Sequence, residues 1–209
     1  MNKNLWLRRI RNICGFLGMI LPWVSLLGAV LYSKFTGGLS DNFWNNLSIS
    51  ATYYVTPALA GILTAASIVL MTYDGYELID NVITTISGIF GILIVLFPCS
   101  GIIDGNVGFF QVPEKISSAI HCISAVIFFG LLSFNSFFLF TLGEENKTKQ
   151  KKIRNIIYRI CGVIMIGSFV LMLLPHFFAQ TFIVEAIALT AFGISWLVKG
   201  QALGILKDK

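Results

Sequence analysis

Six stretches of the chain run with few polar interruptions: 13–33, 53–72, 82–100, 117–142, 156–175 and 180–199. Each is close to the roughly 20 apolar residues that a helix needs to cross a bilayer. The polar residues collect in the connections between them. A strand barrel would show short alternating segments instead, and inside lipid a lone segment must satisfy its own backbone groups. The pattern therefore predicts an all-α membrane protein, a compact bundle of six transmembrane helices forming one domain over residues 1–209.

Charge orients the bundle. The N-terminal segment carries Lys3, Arg8, Arg9 and Arg11. The connection between spans four and five carries Lys147, Lys149, Lys151, Lys152 and Arg154, with Arg159 one turn further on. The C-terminal end carries Lys199, Lys207 and Lys209. An even number of spans puts all three groups on one side, with Lys34 and Lys115 as the exceptions, and basic residues mark the cytoplasmic face. Both termini are expected to be cytoplasmic, in a multi-pass protein of a bacterial cytoplasmic membrane. Composition agrees: 56% of residues are hydrophobic and 12% charged, against roughly 25% charged in soluble domains. Topology accounts for the net charge of +5 without a nucleic-acid partner. Eighteen phenylalanines suit lipid-facing surface, and nineteen glycines suit close helix crossings.

Against this background a few polar residues stand out. A charge at mid-bilayer costs roughly 2.5–3.5 kcal/mol on insertion scales. Glu185 is the only acid well inside an apolar stretch, and both histidines, His121 and His176, fall at the same outward level. Ser117, Ser124, Phe128 and Asn135 continue the face of His121 at helical spacing. Ser48, Ser50, Tyr53 and Tyr54 enter span two at that depth, and a tight turn at 177–179 brings His176 towards Glu185. Two imidazoles and a carboxylate are a ligand set for a hydrolytic metal. A serine beside an imidazole that an acid orients is a nucleophile. The same donors can hold a lipid headgroup, or simply fix helix packing. No H-E-x-x-H or G-x-S-x-G spacing selects a reaction.

On the opposite face Asp74, Glu77, Asp80 and Asn81 share one connection, near Arg154, Arg159 and Lys199. Loop charges serving topology account for them, and an ion-pair network fixing the inner rim is the alternative. Trp6, Trp23, Trp44 and Trp196 lie near span ends, as interfacial anchors do. Cys99 and Cys122 sit near the outer face on neighbouring spans, close enough in register for a disulfide. Arg11-Asn-Ile-Cys-Gly15 is echoed by Arg159-Ile-Cys-Gly162, each ahead of an apolar run ending in Leu-Pro and a ring.

Three stretches together resemble a known family. Ser48-Ile-Ser50, with Asn81 opening the next span, is similar to the "P-x-I-S … N" pattern of DRAM/Frag/Sfk-type six-helix membrane proteins. His121-Cys-Ile-Ser-Ala125 with Phe128-Phe-Gly130 looks like their histidine-containing fourth span, and Glu185 with Ala191-Phe192-Gly193 resembles their last. Leu47 stands ahead of Ser48 without the family's proline, and Ala186 replaces the tryptophan after the glutamate. Bacterial six-helix families share the layout. The resemblance implies a compact six-helix bundle with cytoplasmic termini and a role around lipids, with His121 and Glu185 as the positions carried over. The function expected from all this is non-catalytic binding of a lipid headgroup or small ligand at an outward polar pocket. His121, His176, Glu185, Ser48, Ser50 and Tyr54 would line it, with no cofactor, and with membrane lipids or another membrane protein as partners. The alternatives are an intramembrane lipid hydrolase or acyl-transfer enzyme using the same residues, and an assembly partner without ligand.

Overall fold

The computed structural model describes residues 3–75, 77–99, 105–142, 148–172 and 181–202. Their architecture is all-α. The elements in order are α1 (Lys3–Thr36), α2 (Asp41–Asn45), a 3-10 turn (Ser50–Tyr54), α3 (Ala58–Met71) and α4 (Leu78–Leu96). There follow α5 (Glu114–Phe137), a second 3-10 turn (Leu139–Thr141), α6 (Lys149–Met172) and α7 (Thr181–Lys199). A small hairpin, Asn106–Val107 paired antiparallel with Val112–Pro113, sits in the connection before α5.

Among the described residues five helices are long and apolar enough to cross a membrane, as in a multi-pass membrane protein. Second in the expected series, the 53–72 stretch forms a helix only over Ala58–Met71. Its 14 residues span about 21 Å at 1.5 Å rise per residue, less than a hydrocarbon core of roughly 30 Å. Pro57 sets the boundary. It is the N-cap of α3, and a proline disfavours helical backbone in the residue before it. The chain ahead of it folds as the 3-10 turn instead, which moves Ser50 to Tyr54 off the helix axis.

The five long helices and the short α3 close into a ring. Each packs on its neighbours in the order α1, α3, α4, α5, α6, α7 and back to α1. Outward faces stay apolar, with Phe16, Leu27, Ile123, Val126, Ile160 and Ile187 all exposed, which suits lipid contact. Small residues set the crossings, as in membrane bundles. A Cβ on Gly15 would stand 2.7 Å from the Gly193 carbonyl oxygen, and one on Gly193 would stand 2.6 Å from the Gly15 oxygen. The backbones of α1 and α7 therefore touch where the ring closes. At the α5–α6 crossing a Cβ on Gly162 would meet Phe137 Cβ at 2.9 Å, and Ser133 Oγ donates to the Gly162 carbonyl at 2.7 Å. The two echoed Cys-Gly sequences thus serve the same purpose, opening a helix face for a neighbour.

The ring is plugged at one end. Trp196, Phe192, Phe140, Tyr158 and Tyr73 are all buried there. Their rings meet edge to face or tilted, with centroids 5.4–5.8 Å apart. Trp196, expected as an interfacial anchor, is 0% exposed and is the centre of this plug. Leucine or valine at Gly193 should force α7 off α1. The expected cost is roughly 1–3 kcal/mol, typical of overpacking, read as a lower melting temperature of the purified protein in detergent. Gly167, whose Cβ position has nothing within 4 Å, should accept alanine with little change.

Candidate functional site

The opposite end of the ring is organised by the way α4 stops. Pro98 follows the helix, and the last carbonyls of any helix lack intrahelical partners. In apolar surroundings such groups must still be satisfied. Side chains of neighbouring elements do so here. Ser117 Oγ donates to the Pro98 oxygen at 2.7 Å, and Tyr54 Oη donates to the Cys99 oxygen at 2.7 Å. His121 Nδ1 lies 3.0 Å from the Phe97 oxygen and 3.2 Å from the Ile94 oxygen. The Leu96 oxygen accepts from Phe109 N in the small hairpin.

The position of His121 fixes its tautomer. Carbonyl oxygens only accept, so a ring nitrogen facing two of them carries the proton. In the neutral ring Nε2 is then an acceptor. Its partner is Ser50 Oγ, 3.0 Å away. The imidazole itself is buried, at 5% exposure.

Ser50 is held in turn by α7. Phe182 N, an amide in the first turn of that helix, donates to the Leu47 oxygen at 3.1 Å. Glu185 Oε2 accepts from Ile49 N at 2.5 Å, and Oε1 lies 3.5 Å from Ser50 Oγ. Ser48 Oγ accepts from Ala51 N at 2.9 Å and shapes the turn. The two serines therefore have separate roles. Ser50 meets the imidazole, whereas Ser48 caps the turn that presents it.

These groups border a cavity of about 570 Å³ between the helices of the ring. Roughly 300–1,000 Å³ is usual for a ligand pocket. Its walls are mostly apolar and come from every long helix, including Leu21, Leu63, Ile94, Phe128, Phe169 and Leu189. The polar groups Ser50, His121 and Glu185 belong to the same cavity, with Asn46, Ser48 and Ser118. Ser117 and Tyr54 act behind it, on the α4 carbonyls.

Of the residues singled out from the sequence, Ser50, His121 and Glu185 meet directly. His176 and the tight turn beside it lie outside the described residues. No disulfide joins Cys99 and Cys122, and Cys99 Sγ lies 3.5 Å from Ser118 Oγ. Among the described residues no three of His, Cys, Asp and Glu come together as a metal would require. The Ile49 amide and the Ile94 and Phe97 carbonyls had no signal in the sequence, because backbone groups carry none; Pro98 was the one available hint.

At the plugged end the acidic connection acts as a cap. Glu77 and Asp80 form a capping box on α4. Asn81 Nδ2 donates to Asp74 Oδ1 at 3.1 Å, and Asn81 Oδ1 accepts from Gly75 N at 2.6 Å. Arg11, expected only as one of the basic residues that set orientation, donates through Nε and Nη2 to Tyr73 Oη at 3.0 and 2.6 Å. Arg154 is buried, and the Arg159 guanidinium lies over the Phe137 ring, 6.0 Å from its centroid.

No family model, curated protein or solved structure matches this chain. What the fold and site define is a class by construction: an all-α ring of mostly membrane-length helices around an apolar cavity with a Ser–His–Glu cluster.

Glu185→Ala leaves the Ile49 N–H without an acceptor. An orphaned donor of this kind costs roughly 1–3 kcal/mol. Glu185→Gln keeps an acceptor and should lose less. Thermal melts of the two variants in detergent check this, and equal losses would show that the Ile49 bond does not matter.

Proposed function

We propose that this chain is a six-span membrane protein that binds a lipid in the cavity between the helices. The headgroup lies against Ser50, His121 and Glu185, and the acyl portion lies among Leu21, Leu63, Phe128 and Leu189. The carrying observation is the conjunction within one cavity of apolar walls with a small polar cluster, which is the character of an amphiphile. A free polar ligand would leave those walls unmatched, and a cluster that only fixed packing would have no need of a cavity beside it. The basic end, with Arg8, Arg9, Lys149 and Lys152, faces the cytoplasm, because lysine and arginine in short connections set orientation. Ser50 and the cavity then lie towards the outer leaflet. In this reading the short α3 completes the second crossing together with the 3-10 turn ahead of it.

Orientation is checked with single cysteines in a cysteine-free background. A membrane-impermeant maleimide should label Lys115→Cys in intact cells, and Lys152→Cys only after the membrane is opened. The reverse pattern would invert the topology and move the cavity to the inner leaflet.

Binding is checked by native mass spectrometry of protein extracted in mild detergent. The wild type should retain one adduct of lipid mass. Leu63→Trp, which fills the cavity from α3, should abolish it, and Glu185→Gln should weaken it. A wild type that carries no lipid, and takes up none from mixed micelles of bacterial phospholipid, would end this reading.

A further inference from the structure

We infer that Ser50 is a nucleophile activated by His121, and that the cavity hydrolyses a long-chain acyl ester. The inference rests on the lipid-binding reading and adds a reaction to it. Three observations on the same atoms support it.

The first is the direction of the Ser50 hydrogen bond. Nδ1 of His121 is committed to the Phe97 and Ile94 carbonyls, so Nε2 presents its lone pair to Ser50 Oγ at 3.0 Å, nearer than Glu185 Oε1, the other acceptor for the same hydroxyl, at 3.5 Å. That distance is within the range expected of a nucleophile and its base. Backbone carbonyls here do what an acid does in a triad, holding the ring in the tautomer that can take a proton.

The second is contrast with other serines. Ser87, Ser117, Ser133 and Ser136 all donate to backbone carbonyls. Those hydroxyls are structural. Among the described residues Ser50 is the serine whose hydroxyl meets an imidazole, and it lies on the wall of a cavity.

The third is support. Glu185 binds the amide of the preceding residue, Ile49, and α7 also holds Leu47 through Phe182 N. The turn bearing Ser50 is therefore held by α7 at two points just ahead of the serine. Glu185 is a positioning residue in this scheme.

The reaction balances without an oxidant or a metal. Ser50 Oγ attacks the ester carbonyl carbon as its proton moves to His121 Nε2. The bond from that carbon to the alcohol oxygen breaks, and the Nε2 proton passes to the departing alcohol. The acyl group is left as an ester on Ser50. Water then attacks it, giving its proton to Nε2, and that proton returns to Ser50 Oγ as the free acid leaves. One ester and one water become one acid and one alcohol. The apolar walls accept the acyl chain, which selects long-chain over short-chain esters.

The test uses the full chain in detergent micelles with two probes, a fluorophosphonate and p-nitrophenyl palmitate. Intact mass and peptide mapping should find one phosphonyl adduct, on Ser50, in wild type and in a Ser87→Ala control. Ser50→Ala should carry none. Palmitate release should fall by at least about a hundredfold in Ser50→Ala and in His121→Gln, the lower range for loss of a positioned base. His121→Gln keeps a side-chain donor for the α4 carbonyls, and a melting curve confirms that it is folded. Wild type that holds lipid by native mass spectrometry yet gains no adduct on Ser50 would overturn the catalytic inference and leave binding intact. An adduct on Ser50 in protein that neither holds lipid nor prefers palmitate to acetate would overturn the lipid reading instead.

Discussion

Everything at the cavity end depends on backbone carbonyls that α4 leaves behind when it stops at Pro98. In water they would be solvated, and in an apolar bundle each one needs a donor. The structure supplies Ser117, Tyr54 and His121 from neighbouring elements. Satisfying these groups has a consequence beyond stability. It fixes which nitrogen of His121 carries the proton, and so what the other nitrogen can do. A requirement of folding therefore sets the chemistry of the His121 imidazole in the cavity wall.

The second determinant is the short helix α3. Had the 53–72 stretch run as one helix, Ser50 would lie on a connection outside the bundle. Pro57 ends that prospect, and the turn before it folds inward, where α7 grips it through Phe182 N and Glu185. The intramembrane acid thereby loses its status as an anomaly. Its cost is offset by a hydrogen bond to a backbone amide, and it faces a cavity shared with other polar groups. The opposite end solves the same problem by a different route. There the axis of the ring is filled by Trp196 and its aromatic neighbours, with Arg11 bound to Tyr73. One end closed by rings and the other left hollow give the bundle its polarity.

Much of this was legible beforehand, and for identifiable reasons. Hydropathy runs report burial in lipid directly, so the helical class and most element positions followed from them. Glu185 and His121 were legible because a polar group in an apolar span is costly and therefore conspicuous. Ser50 and Ser48 were indistinguishable, since both lie at the same depth two residues apart, and only the turn geometry separates the serine that meets the imidazole from the one that caps the turn. Trp196 was misread for a related reason. A tryptophan near a helix end has the same local sequence whether it meets lipid headgroups or the ring's axis.

Sequence alone determined that this chain builds apolar helices, where its basic residues gather, and which few polar side chains need partners. Those are properties of single residues and their spacing. Tertiary structure alone decided that Ser50, His121 and Glu185 meet, that a cavity adjoins them, and that two α4 carbonyls orient the imidazole. Residues 50, 121 and 185 stand 71 and 64 positions apart in the chain, and no periodicity reaches that far. Their meeting is set by the closing of the ring and by backbone atoms, which are alike at every position of a sequence and acquire meaning only where a helix ends.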